Sequence, residues 1–134
     1  MNNPETAARP RRILCVDDNR DAADTTAALL QAHGFDARAC YDGPAALKVA
    51  EDFSPDLCFI DLKMPGMDGD VLAVALRTAA GSRPLTMVAL TAMSDLGDVL
   101  RTEAAGFEQY LVKPADPAAL VEIAAGVAGR GRPE

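Results

Sequence analysis

The sequence predicts an α/β fold: a doubly wound, five-stranded parallel sheet covered on both faces by five helices, in three layers. Two observations predict it. Short continuous apolar runs, of the kind that form strands buried on both faces, alternate with segments carrying apolar residues at helical spacing. The strand-like runs also end in polar side chains: Asp17 and Asp18 after the first, Asp61 after the third, Thr91 after the fourth and Lys113 after the fifth. A strand, helix, strand order with every strand buried requires parallel pairing and right-handed crossovers. With 134 residues, 49% of them hydrophobic, the chain has the length and the apolar side chains for one core and no room for a second domain.

Ile13-Leu14-Cys15-Val16 is the first strand, stopped by Asp17-Asp18-Asn19. A helix from Asp21 to His33 follows, with Asp21 and Asp24 near the positive end of its dipole and Gly34 at its stop. Phe35 to Tyr41 reads as the second strand. Asp42-Gly43-Pro44 then turns into a helix that runs to about Asp52, because proline suits the first turn of a helix. Ser54-Pro55 breaks the pattern before Leu57-Cys58-Phe59-Ile60, the third strand. The breaker-rich loop Met64 to Gly69 leads to a helix over Val71 to Thr78, and Leu85 to Leu90 is the fourth strand. Ser94 or Asp95 is the expected cap of a fourth helix whose Leu96, Val99, Leu100 and Ala104 share one face, with Gly106 as its left-handed stop. Gln109 to Val112 is the fifth strand. Asp116-Pro117 opens the last helix, to about Ala128. Residues 1–10 read as a loose leader, 11–128 as the domain and 129–134 as a short tail, with no output domain.

Composition narrows the function. A net charge of −7 argues against direct binding to nucleic acid, which needs a basic face. Aromatic residues make up only 4% and Trp is absent, so small-residue helices packed on a sheet are expected rather than an aromatic core. Cys15, Cys40 and Cys58 lie in apolar runs without metal-type spacing and read as reduced core thiols. No run approaches the roughly 18 apolar residues of a membrane helix, and the start lacks a signal-peptide core, so no membrane insertion and a cytoplasmic location are expected.

In sheets of this class ligands sit beyond the carboxyl ends of the strands at the topological switch point. If the first, third, fourth and fifth strands are neighbours, Asp17, Asp18, Asp61, Thr91 and Lys113 converge there. Three carboxylates so close repel one another and raise their pKa values unless a cation sits among them. Mg²⁺, which takes one or two carboxylates and completes its shell with water and phosphate oxygens, fits this set. An Asp carboxylate can attack phosphorus to give an acyl phosphate, with a metal and a Lys balancing charge. The only histidine, His33, lies on a helix away from this edge. Each residue also has a plain structural reading: Asp17-Asp18 as helix caps, Asp61 as a turn residue, Thr91 as a β-branched strand residue, Lys113-Pro114 as a solvated turn and Tyr110 as a core aromatic. Two buried strands ending side by side in acids favour the chemical reading.

This constellation resembles the bacterial two-component response-regulator receiver domain, of the stand-alone type, from about Arg11 to Ala128. The residues that carry the resemblance are Asp17-Asp18, the segment from Phe59 through Asp61 to Gly69, Leu90-Thr91-Ala92, and Tyr110-Leu111-Val112-Lys113-Pro114. It implies a flavodoxin-like strand order, 2-1-3-4-5. It further implies that Asp61 accepts the phosphoryl group, and that Asp18, Asp61 and the backbone carbonyl of Lys63 bind Mg²⁺, or Mn²⁺ in its place, with Asp17 acting through water. Thr91, Ala92 and Lys113 would bind the phosphoryl oxygens. Tyr110 would turn inward as Thr91 moves, altering the face made by the fourth helix, fifth strand and fifth helix, and the Lys113-Pro114 bond would be cis. Lys63 and Met93 stand where dephosphorylation is tuned in this family.

The expected function is therefore a phosphorylation-activated switch of a two-component system or phosphorelay, fed by a histidine kinase or phosphotransfer protein and read by a downstream protein target. A homodimer formed on phosphorylation is compatible with it. Catalysis would extend at most to the domain's own phosphorylation and dephosphorylation. A second hypothesis keeps the fold as a phosphorylation-independent interaction module, against which the intact acidic set and Lys113 stand. A third, a Mg²⁺-dependent phosphohydrolase with an aspartyl-phosphate intermediate, needs a second Asp two residues after the nucleophile. Lys63 occupies that position.

Overall fold

In the computed structural model, which describes residues 10–92 and 96–128, strands and helices alternate without exception. The order is β1 (Arg12–Val16), α1 (Arg20–Ala32), β2 (Asp36–Cys40), α2 (Gly43–Phe53), β3 (Leu57–Asp61), α3 (Gly69–Ala80), β4 (Thr86–Thr91), α4 (Leu96–Ala105), β5 (Gln109–Val112) and α5 (Pro117–Ala128). All pairings are parallel and the sheet order is β2-β1-β3-β4-β5. The α/β class, the five-stranded doubly wound sheet and the expected order are all present. Boundaries differ by one or two residues, as where α1 starts at Arg20 rather than Asp21 because Asn19 caps it, its side chain accepting from the Ala22 N–H at 3.1 Å.

Side chains of the strands alternate between the two faces. Leu14, Val16, Cys58, Ile60, Met87 and Ala89 form one core with Ala46, Ala50 and Phe53 of α2 and Leu72, Ala73 and Leu76 of α3. Ile13, Cys15, Leu57, Phe59, Val88 and Leu90 form the other, with Ala27 and Leu30 of α1 and Leu120 and Ala124 of α5. The three cysteines are free and buried, as the sequence predicts, and burial pushes the Cys15 thiol up to about 12. The expectation that every strand is a buried run fails at β2 and β5. Arg38, Gln109 and Val112 are exposed there because these strands form the sheet edges, each with a partner on one side only.

Helix α4 differs from the other helices in what it buries. Its inward residues are Asp98, Thr102 and Ala105, whereas Leu96 is 72% and Leu100 55% exposed. The face shared by Leu96, Val99, Leu100 and Ala104 is thus not the seat of this helix. Polar groups beneath it decide the orientation: Asp98 meets the Thr91 hydroxyl, and Arg101 reaches acids on and before α3. The expected caps Ser94 and Asp95 lie outside the described residues, as do the leader up to Arg9 and the tail from 129.

The chain between β3 and α3 is held close to the sheet. The Gly69 N–H donates to the Leu62 carbonyl at 2.7 Å, and a Cβ at Gly69 would run into the Asp61 carbonyl oxygen. Only glycine lets α3 begin so near the end of β3. Within this loop Gly66 takes φ +84°, and an Asp68 carboxylate oxygen accepts from the Met64 N–H at 3.1 Å.

Candidate functional site

The chain leaves β1 toward β2 on one side of the sheet and reaches β3 on the other, so a crevice opens between the ends of β1 and β3. The register sets Val16 beside Ile60, which puts the next residue of each strand, Asp17 and Asp61, next to one another. Asp17 is 3% and Asp61 6% exposed, while Asp18 is exposed. Asp17, Asp18 and Asp61 each offer a carboxylate oxygen, all within 4.8 Å of one another.

Lys113 enters from the far side. Its backbone N–H donates to the Thr91 carbonyl at 2.7 Å, and the following bond to Pro114 is cis. Its ammonium lies 3.0 Å from an Asp17 oxygen and 3.4 Å from an Asp61 oxygen. The other Asp17 oxygen accepts from the Asn19 N–H at 3.0 Å, so both oxygens of Asp17 have partners in the chain.

Electrostatics agree with the geometry. Burial, then a hydrogen bond with Asp18 and the charge of Asp17, push the Asp61 carboxyl up to about 7, although Lys113 pulls the other way. Burial alone would lower the Lys113 pKa, but its hydrogen bond to Asp17 and the charges of Asp61 and Asp17 outweigh it and hold the ammonium above its ordinary value. Three carboxylates against one ammonium leave a deficit of positive charge. An all-oxygen set of this kind fits a hard divalent cation, Mg²⁺ or Mn²⁺, rather than a soft one.

Thr91 ends β4 in the row of Met87 and Ala89, so its side chain turns toward α4, where the hydroxyl donates to Asp98 Oδ2 at 3.2 Å. Ala92 lines a groove of about 570 Å³ with Asp17, Leu90, Lys113 and Pro114, which opens beside the acidic cluster toward Thr25 and Thr26 of α1 and Leu120 of α5. Lys63 is exposed just past β3, and Tyr110 is half-buried against the core that includes Ala105 and Phe107. Met93 lies outside the described residues.

The family model for the response regulator receiver domain matches residues 13–125. The chain belongs to this family. It is 37% identical over 111 residues to the DNA-binding response regulator MtrA of Mycobacterium tuberculosis, a match that covers 83% of this chain and 47% of the relative. It is 34% identical over 105 residues to the response regulator PleD of Caulobacter vibrioides, covering 78% of this chain and 23% of the relative. The receiver thus spans about half or less of the length of these curated relatives. Among solved structures, the chemotaxis protein CheY4 of Vibrio cholerae superposes with a TM-score of 0.82 at 26% identity, covering 88% of this chain and 98% of that one. A CheY-like receiver domain protein of Methanospirillum hungatei gives 0.80 at 26% identity, covering 89% and 94%. The family generally binds Mg²⁺ at its acidic pocket, and it is not an enzyme family by itself.

Sequence reasoning missed two members of this receiver's polar network. Asp98 faces the Thr91 hydroxyl, and Arg101 donates to Asp70 at 3.1 and 3.2 Å and to Asp68 at 3.4 Å. A signal for both exists: Asp98, Arg101 and Thr102 form a polar stripe at helical spacing beside the apolar one, so the α4 sequence carries two competing faces.

Proposed function

We propose that this receiver is a phosphorylation-activated switch of a two-component system or phosphorelay, with Asp61 as the phosphoacceptor. The observation that carries the reading is the ammonium of Lys113 set between Asp17 and Asp61, with three carboxylates gathered at one strand-end crevice. An Asp61 oxygen attacks the phosphorus of a phosphohistidine on a histidine kinase or phosphotransfer protein. The P–N bond breaks and its electron pair stays on the imidazole nitrogen. Hydrolysis later returns the carboxylate and inorganic phosphate, and the domain's own catalysis goes no further than these two steps.

Asp18, Asp61 and the Lys63 carbonyl would hold Mg²⁺ or Mn²⁺, with Asp17 acting through water. The ion supplies positive charge to the phosphoryl oxygens. Lys113 pairs with one phosphoryl oxygen, and Thr91 turns its hydroxyl to another beside Ala92. Tyr110 follows Thr91, and Lys63 and Met93 tune the return to the resting state. The altered face is that of α4, β5 and α5, and the exposed Leu96, Leu100 and Val112 support its use in docking a downstream protein or a second copy. Among the described residues no helix is long and apolar enough to cross a membrane, in keeping with a switch acting in the cytoplasm. The net charge of −7 disfavours direct contact with nucleic acid.

Intact mass after incubation with acetyl phosphate or phosphoramidate tests the reading. A gain of one phosphoryl group that needs Mg²⁺ and is absent in Asp61→Asn is expected. Absence of the adduct in the wild type, together with binding of a partner that is indifferent to phosphodonor, would favour the phosphorylation-independent module instead.

A further inference from the structure

We propose that Asp98 is a positioning residue that holds the Thr91 hydroxyl on α4, so that a phosphoryl group on Asp61 must compete with Asp98 for it. The inference rests on the phosphoacceptor reading of Asp61. A threonine hydroxyl carries one hydrogen and donates to one acceptor at a time. Here Asp98 Oδ2 accepts at 3.2 Å, on a residue 7% exposed. A bond to a carboxylate is stronger than one to a neutral oxygen, so the hydroxyl is not idle before phosphorylation.

Asp98 is an acid buried in the first turn of α4, at an inward position. Inward positions of α1 carry Ala23, Ala27 and Leu30, whereas α4 buries this acid and leaves Leu96 and Leu100 outside. The acid is also wired onward. The Arg101 guanidinium lies 3.9 Å from Asp98 and hydrogen-bonds Asp70 at the start of α3. Moving the Thr91 hydroxyl to a phosphoryl oxygen removes one donor from Asp98 and so alters the seat of α4. By linkage, whatever strengthens the Thr91–Asp98 bond weakens phosphoryl binding by the same factor.

Fluoroberyllate with Mg²⁺, a phosphoryl mimic, gives the test, with its Kd followed by ¹⁹F NMR on the full chain. Asp98→Ala is expected to bind it about tenfold tighter than wild type, since one charge-assisted bond no longer competes. Asp98→Asn, nearly isosteric and still an acceptor, should give a smaller gain and decides the matter if the Ala variant does not fold. In a Thr91→Ala background the Asp98 substitutions should change nothing. An equal gain in that background would overturn the proposal, because it would reduce Asp98 to a charge that repels the anion. An unchanged or weaker Kd in the Asp98 variants would overturn it too. Failure of the wild type to bind fluoroberyllate at all would instead remove the phosphoacceptor reading on which the inference stands.

Discussion

Helices α1 and α4 each follow a strand end that carries a candidate site residue, Asp17 just after β1 and Thr91 at the end of β4, yet α1 rests on the sheet through apolar side chains alone and α4 partly through polar ones. Ala23, Ala27 and Leu30 seat α1, and Asn19 caps it. Asp98, Thr102 and Ala105 seat α4. Apolar contacts are non-directional and are lost only by opening a cavity, so α1 has one good position. A seat made of a hydroxyl, a carboxylate and a guanidinium can exchange partners at modest cost, which is what a two-state element needs. In the proposal made above, Asp98 is the joint between chemistry at Asp61 and movement of α4.

That contrast can be broken most easily at its apolar end. Leu30, fully buried on α1, should cost about 3 kcal/mol when replaced by alanine, seen as a lower denaturation midpoint with unchanged m-value. If Leu30→Ala costs no more than an α4 surface change, the two helices are not seated differently. Between them, the site itself should give a pH signature in metal-free protein. Asp61 binds its proton more tightly when folded, with a pKa of about 7, than in the unfolded chain. Its contribution is therefore fully present below the ordinary carboxylate range and lost as pH rises toward 7, at no more than about 1.4 kcal/mol per pH unit. Subtracting the Asp61→Asn profile from the wild type isolates it, and saturating Mg²⁺ should flatten the difference.

Arg101 sharpens the comparison from the polar end. Arg101→Ala removes the links to Asp70, Asp68 and Asp98 and should cost roughly 1 kcal/mol, with faster amide exchange in α4 and none in α1. The smallest effect is expected at Leu100→Ala, within about 0.5 kcal/mol of wild type by denaturant titration. A large loss there would mean that the apolar face of α4 is covered in the folded protein.

Much of this was legible in the residues. Strands buried on both faces leave continuous apolar runs such as Leu57 to Ile60, and polar residues appear where those runs meet the crevice, so Asp17, Asp61, Thr91 and Lys113 could be named from one sequence. The strand order was not fixed by the runs themselves, which say nothing of which neighbour each strand takes; it came from family resemblance. The cap of α1 was ambiguous because Asp17, Asp18, Asn19 and Asp21 are all good caps, and only backbone geometry selects Asn19. The seat of α4 is not legible from its apolar residues, because hydrogen bonds from Thr91 and Arg101 hold it while Leu96 and Leu100 stay exposed.

Amide hydrogen exchange on the full chain, with and without Mg²⁺ and fluoroberyllate, tests most directly the claim that Asp61 speaks to α4. The account predicts that saturating mimic changes protection in α4 and leaves the core amides of α1 around Ala27 and Leu30 as they were, and that Asp61→Asn abolishes the change. Equal changes in both helices, or saturation of the site with none in α4, would contradict it.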